Sequence, residues 1–124
     1  MKLRILGDTL RVRLAQAEVA RLREVGQVDQ SIHFGPSAGQ AIEYAVIADP
    51  AARVIEAHLS GTSIKVHIPV SDVQVWADGT DVSLRASQDV GAGRELAILI
   101  EKDFKCLVPR AGEEDSDGFP NPAS

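Results

Sequence analysis

The chain has 124 residues, of which 44% are hydrophobic and 25% charged, and its formal net charge is -5. This length and composition fit one globular domain and exclude a collagen-like, low-complexity or wholly disordered chain. An acidic chain with only 4% aromatic residues is poor in the basic and stacking side chains that bind nucleic acids, so we expect no nucleic-acid partner.

Two features predict the cellular compartment. No apolar run resembles a signal peptide or approaches the roughly 20 residues of a membrane span, so we expect no membrane partner. The single cysteine, Cys106, cannot form a disulfide within the chain, which suits a reducing cytosol. We therefore expect a cytoplasmic protein, in which Cys106 is a small core residue rather than a nucleophile.

The N-terminal third predicts a hairpin followed by a helix. Residues 2–6 and 9–14 alternate between apolar and charged side chains, and Gly7 is placed at the first position of a type II′ turn. Beyond them, Val19, Leu22 and Val25 recur at helical spacing. The pattern predicts a helix over about residues 16–25.

The rest of the domain is predicted to be mainly β-structure. A capping-box pattern at Ser71-Asp72-Val73-Gln74 predicts a short helical turn, and no long internal repeat is evident. Residues 96–100 do not alternate, which predicts a central strand buried on both faces. The further strands are expected at about residues 28–34, 41–47, 53–59, 63–68, 82–87 and 94–104.

This element order predicts an α+β domain over residues 1–104. We expect a mainly antiparallel sheet of about seven or eight strands, either open or curved as far as a barrel, with one packed helix. Residues 105–124 form an acidic, proline-containing tail that we expect to dock on the basic first hairpin. The predicted core comprises Leu3, Ile5, Leu10, Val12, Leu22, Ile55, Val66, Ile98 and Ile100.

The first hairpin gathers four cations on one face. A two-residue turn at Gly7 places Arg4 opposite Arg11 and Lys2 opposite Arg13. Opposed like charges repel, so either carboxylates such as Glu43 or Glu101 screen them, or the face receives an anion. The candidate anion-binding residues are Lys2, Arg4, Arg11, Arg13 and, on the second hairpin, Lys65.

The second hairpin places two histidines beside a carboxylate. A turn at Gly61 puts Glu56 opposite His67 and makes His58 a diagonal neighbour of His67. Glu56, His58 and His67 could form a facial metal triad, but a half-solvated polar face is the more common origin of such a cluster. We therefore predict no bound metal and no cofactor.

The C-terminal region is distinctive and resembles the ending of a family of small bacterial proteins defined as a domain of unknown function. The N-terminal segments 2–5 and 11–14 are similar to that family as well. The resemblance implies a bacterial cytoplasmic protein but no activity. The residues that carry it at the C-terminus are Glu101-Lys102-Asp103-Phe104-Lys105-Cys106-Leu107, Arg110, Glu114-Asp115, Asp117 and Phe119-Pro120-Asn121-Pro122.

Three functions fit these features. The first is a non-catalytic binding module, a monomer or homodimer, whose cationic hairpin face meets a protein or an anionic small molecule. The second is a metal-dependent enzyme that uses the two histidines and Glu56. The third is an enzyme acting on a phosphorylated or other anionic small molecule inside a charged barrel, resembling the triphosphate tunnel enzymes. In that arrangement Lys2, Arg4, Arg11, Arg13, Lys65 and Arg85 would bind phosphate, and Glu43, Glu56, Glu95 and Glu101 would hold the metal.

Overall fold

The structure is a computed structural model that describes residues 1–104, so the acidic tail and Cys106 lie outside the described residues. A single 3₁₀ turn at Ala38–Gln40 leads into the fourth strand. The helices are α1 (Gln16–Glu24) and α2 (Val70–Asp78). The strands are β1 (Lys2–Leu6), β2 (Thr9–Leu14), β3 (Gln27–His33), β4 (Ala41–Asp49), β5 (Glu56–Ser60), β6 (Ser63–Pro69), β7 (Ser83–Gly91) and β8 (Arg94–Lys102).

The strands form two four-stranded sheets, in the orders β1-β2-β8-β7 and β3-β4-β6-β5. The outer pairs of each sheet are antiparallel, whereas the central pairs, β2 with β8 and β4 with β6, are parallel. The predicted α+β class with a mainly antiparallel arrangement is therefore confirmed. Over residues 1–104 the strands do not close into a barrel.

The two halves of the domain repeat one another in structure, although no long repeat is evident in the sequence. Each half runs strand–strand–helix–strand–strand, and adding 54 to a residue number in β1, β2, α1 or β4 gives its counterpart, as for Gly7 and Gly61. From β3 to β7 the pairing registers give a shift of 56 instead. The parallel pairs correspond by the shift of 54: Val12 pairs with Ile100, and their counterparts Val66 (12 plus 54) and Val46 (100 minus 54) pair with each other. Each sheet therefore combines one hairpin from each half.

Helix α2 is the main departure from the predicted elements. It has nine residues, as many as α1, and it begins directly after Pro69 rather than at a cap formed by Ser71. Pro69 has an extended backbone with φ -53° and ends β6, so Ser71 already lies in the first helical turn. Trp76 is completely buried and donates a hydrogen bond to the Val82 carbonyl, which holds the far end of α2 against the domain.

Both sheets and both helices share one hydrophobic core. The prediction that Ile5 belongs to the core is wrong, because 62% of its surface is exposed. Leu3, also predicted in the core, is only partly buried. Both lie on β1, which is an edge strand and therefore has a neighbour on one side only. The other seven predicted core residues are buried: Leu10, Val12, Leu22, Ile55, Val66, Ile98 and Ile100.

Strand β8 is central, as predicted, but it is buried on one face only. Ile98 and Ile100 point into the core, whereas Ala97 is exposed and Leu99 half-buried. Neither of the two helices in residues 1–104 covers the outer face of this sheet, since α1 and α2 pack mainly on each other and on β3, β4 and β6. Within residues 1–104, neither helix is long and apolar enough to cross a membrane.

The burial pattern predicts a clear difference among leucine and isoleucine truncations. Leu10→Ala and Ile98→Ala should each lower the free energy of unfolding by roughly 2–5 kcal/mol, because both side chains are buried and leave cavities. Ile5→Ala, which removes an exposed side chain, should cost less than about 0.5 kcal/mol. Urea unfolding followed by Trp76 fluorescence measures all three. Equal losses at Leu10 and Ile5 would contradict the exposure of Ile5 at the edge of the sheet.

Candidate functional site

The cations predicted for the first hairpin lie together on the outer face of the first sheet. Arg4 pairs with Arg11, Arg11 with Leu99 on β8, and Leu99 with Arg85 on β7. These four side chains form one row across the sheet because residues in register share a face. Lys2, Arg13, Glu101 and Ser83 form the adjacent row. We call the surface formed by Lys2, Arg4, Arg11, Arg13 and Arg85 the cationic face.

Glu101 is the carboxylate that offsets the repulsion between the arginines of β2. Its Oε1 atom lies 3.0 Å from Nε of Arg11 and 3.5 Å from Nε of Arg13. Oε1 is buried and makes no aligned hydrogen bond with any described residue, so the contact is an ion pair of one carboxylate with two guanidinium groups. Of the two predicted screening residues, Glu101 is confirmed. Glu43 is wrong, because it lies on β4 in the other sheet.

A second carboxylate meets the other end of this face. Lys2 Nζ lies 2.9 Å from Asp103 Oδ2, and this interaction holds the pKa of Asp103 below its usual value. Among the described residues, no carboxylate lies within ion-pair distance of Arg4 or Arg85. Both of these side chains are exposed. Within residues 1–104, the cationic face thus contains two exposed cations without a carboxylate at ion-pair distance.

Lys65 is not part of the cationic face. It is the counterpart of Arg11 by the 54-residue shift, but it lies on β6 in the second sheet, opposite His58. Glu43 and Glu56 are in that sheet too, whereas Glu95 is in the first. The charged residues proposed for a tunnel are therefore divided between two sheets that, over the described residues, form no closed barrel.

The histidines of the second hairpin form a row of four polar groups with two carboxylates. The His58 and His67 rings meet edge to face, with centroids 5.2 Å apart. Glu56 Oε2 lies 3.4 Å from Nε2 of His58, and Asp49 Oδ2 lies 3.0 Å from Nδ1 of His67. These residues line an open cleft of about 390 Å³ together with Arg53. The predicted register of the hairpin is confirmed.

The cleft does not have the geometry of a metal triad. Across residues 1–104, no three His, Cys, Asp or Glu side chains are grouped so that they could share a metal ion. Instead, each histidine is engaged by its own carboxylate. Asp49 was not predicted as part of this cluster because it is distant in sequence from the hairpin and reaches it through the parallel pairing of β4 with β6.

The Asp49 carboxylate is the most strongly positioned group in the cleft. Its Oδ1 accepts a hydrogen bond of 2.8 Å from the Ala51 backbone N–H. This bond, followed by the contact with His67, holds the pKa of Asp49 below its ordinary value of 3.8. The carboxylate therefore orients the His67 ring and closes the turn after β4.

The two sheets are joined along one side by a single glutamine. The side-chain amide of Gln88 on β7 donates to the Ala57 carbonyl at 3.0 Å and accepts from the Ala57 N–H at 2.7 Å. It thereby occupies the two outward backbone groups of β5, as a neighbouring strand would. Sequence analysis did not identify Gln88, because a polar residue in an alternating strand carries no sign of a partner in another sheet.

The geometry of Glu101 predicts a salt-dependent loss of stability. Glu101→Gln should lower the free energy of unfolding by about 1 kcal/mol at low salt, because the arginines of β2 and Arg4 then repel without compensation. The loss should shrink in about 1 M NaCl, where charges are screened over about 3 Å. Glu95→Gln, on the same strand but exposed, serves as the control. An equal loss at both salt concentrations would contradict the electrostatic origin.

The lowered pKa of Asp49 predicts a pH-dependent contribution to stability. A carboxylate whose pKa is lower in the folded state stabilises the fold above its unfolded pKa, and this contribution is lost as the pH falls through the folded value. Asp49→Asn should therefore lower the urea midpoint at pH 7, and the difference from wild type should shrink progressively as the pH falls below the ordinary aspartate pKa of 3.8. Asp81→Asn, at an exposed aspartate on a loop, is the control. A difference that persists unchanged at low pH would contradict this assignment.

Comparison with known proteins identifies the family. No curated protein and no solved structure matches the chain. A family model described as "Family of unknown function (DUF7009)" matches residues 1–123, nearly the whole sequence. The prediction that this is a member of a family of unknown function is therefore confirmed, and the chain belongs to the DUF7009 family.

Proposed function

We propose that the chain is a cytoplasmic, non-catalytic binding module, a monomer or homodimer without a cofactor, whose cationic face receives an anionic ligand or an acidic partner protein. The observation that carries the proposal is the row formed by Arg4, Arg11 and Arg85 across an exposed sheet face. These cations are concentrated on one face of a chain whose net charge is -5. Such a concentration of positive charge steers anions to the face.

The distribution of partners on this face supports binding rather than a purely structural role. Glu101 and Asp103 offset Arg11, Arg13 and Lys2, which keeps the hairpin stable without a ligand. Arg4 and Arg85 have no such carboxylate among the described residues and remain exposed. A ligand can therefore bind these two cations without displacing an internal ion pair.

The enzymatic alternatives have less support. A tunnel enzyme needs its cations to surround the substrate, and here they project from an open sheet face. The histidine cleft contains an Asp49–His67 pair, but none of the residues that line it within 1–104 is a serine or a cysteine that could act as a nucleophile. A binding module should bind an anion unchanged, whereas an enzyme should convert it, so measuring both binding and phosphate release distinguishes the two functions.

The proposal is tested with labelled oligoglutamate and inorganic tripolyphosphate at low salt. The double variant Arg4→Gln/Arg85→Gln should bind oligoglutamate about tenfold more weakly, a loss of about 1.4 kcal/mol, and added salt should weaken binding to the wild type. Lys65→Gln, which removes one exposed cation from the other sheet, should change the affinity less than about twofold.

Two results would contradict the proposal. One is equal affinity of wild type and double variant for oligoglutamate, which would mean that the cationic face is not the binding surface. The other is release of phosphate from tripolyphosphate by the wild-type chain with divalent metal present, which would favour the enzymatic alternative.

A further inference from the structure

The edge strands of the two sheets differ in their contacts, although the internal repeat relates β1 to β5 and β3 to β7. On one side, Gln88 of β7 bonds to the backbone of Ala57 on the edge strand β5. Gln88 pairs with Leu96, whose counterpart Ile42 pairs with Ile32 on β3. Ile32 therefore takes the place of Gln88 on the other side, and its apolar side chain cannot bond to a backbone.

Within residues 1–104, the outward backbone groups of the edge strand β1 have no such partner. In a hairpin with a two-residue turn, alternate pairs exchange hydrogen bonds, so Leu3 and Ile5 direct their N–H and C=O groups away from β2. Ala57 is the counterpart of Leu3, and its two backbone groups do point outward, to Gln88. Among the described residues, no strand other than β2 pairs with β1.

The side chains of β1 specify what kind of strand would fit beside it. Lys2 and Arg4 point to the outer face, where Lys2 is 72% exposed. Ile5 and Leu3 point to the inner face, where 62% of the surface of Ile5 is exposed. An added strand keeps the same alternation, so acidic residues would face Lys2 and Arg4 while apolar residues cover Ile5 and Leu3.

A second copy of this chain does not meet these requirements. Antiparallel pairing of β1 with β1 of another molecule would place Lys2 and Arg4 against the same cations across the new pair. Directly opposed like charges destabilise a sheet, and lysines on edge strands are a common protection against such association. The charge pattern therefore disfavours a second copy of β1 and favours a strand with acidic side chains opposite Lys2 and Arg4.

We propose that β1 is a strand-addition site that captures an extended peptide segment of alternating acidic and apolar residues from a partner protein. The proposal rests on the proposed function, since it names the class of ligand that the cationic face would take. Backbone hydrogen bonds to Leu3 and Ile5 would supply affinity, and the contacts with Arg4 and Ile5 would supply specificity. The added strand would bond to the outward backbone groups of β1, as Gln88 bonds to those of β5 on the other side of the domain.

The test measures binding of a labelled peptide of about seven residues in which glutamate and valine alternate. The Ile5→Pro variant removes an outward N–H without removing a hydrogen bond to β2, since proline is tolerated on sheet edges. It should weaken peptide binding at least about tenfold, which corresponds to about 1.4 kcal/mol. Leu59→Pro, at the counterpart position on β5, is the matched control and should bind like the wild type.

A second measurement does not depend on the variant folding. The same peptide with its backbone nitrogens methylated at alternate residues keeps its charges but cannot pair along one edge. Against the wild-type chain it should bind at least about tenfold more weakly than the unmodified peptide. A peptide with lysine in place of glutamate should not bind, because its charges oppose those of Lys2 and Arg4.

The outcomes distinguish the two proposals. If the methylated and unmodified peptides bind equally, and only loss of the cations at Arg4 and Arg85 weakens binding, strand addition is wrong while the cationic face keeps its proposed function. If neither the alternating peptide nor oligoglutamate binds the wild-type chain, both proposals are wrong. Strand addition at β1 is supported if methylation of the peptide weakens its binding to the wild-type chain and the Leu59→Pro variant still binds the unmodified peptide.

Discussion

The parallel pairing of β2 with β8 and of β4 with β6 is the constraint on which the rest of the structure depends. Each half of the chain contributes one hairpin to each sheet, so neither half has a complete sheet of its own. The two parallel pairs join the halves, and the helices that follow β2 and β6 bring Leu22 and Trp76 into the same core. The two halves therefore share one core despite the internal repeat.

The same pairing explains where the charges of the chain are balanced. Because β8 lies beside β2, Glu101 reaches Arg11 and Arg13, which are distant from it in sequence. Because β6 lies beside β4, Asp49 reaches His67 in the same way. By the 54-residue shift the counterpart of Asp49 is Asp103, which contacts Lys2, whereas the counterpart of Glu101 is Ile47. The surrounding side chains have diverged into a cationic face and a histidine cleft.

The elements could be predicted from the sequence where a local pattern determines them. Alternation with glycine at the turns was enough to predict both hairpins, and the registers of Arg4 with Arg11 and of Glu56 with His67 are confirmed. Helix α2 was underestimated because its start at Pro69 resembles the continuation of a strand. Ile5 was expected in the core because alternation identifies a face but does not reveal that β1 has no second neighbour.

The site was less predictable than the elements, because the ion-pair and hydrogen-bond partners of its residues lie on strands that are distant in sequence. The cluster of hairpin cations follows from one turn, whereas the ion pairs with Glu101 and the role of Gln88 depend on which strands become neighbours. Lys65 was grouped with the hairpin cations by its charge alone, and the sheet order separates it from them. Local patterns therefore identified the charged groups but not the way in which they are shared between the two sheets.

The most direct test of the account is amide hydrogen exchange at the two edge strands in the unliganded full chain. The central claim is that Gln88 completes the edge of β5, while no strand of residues 1–104 other than β2 pairs with β1. The account predicts strong protection of the Ala57 N–H, loss of that protection in Gln88→Ala, and fast exchange of the Leu3 and Ile5 N–H groups in both proteins. Protection of Leu3 and Ile5 equal to that of Ala57 in the wild-type chain would contradict it.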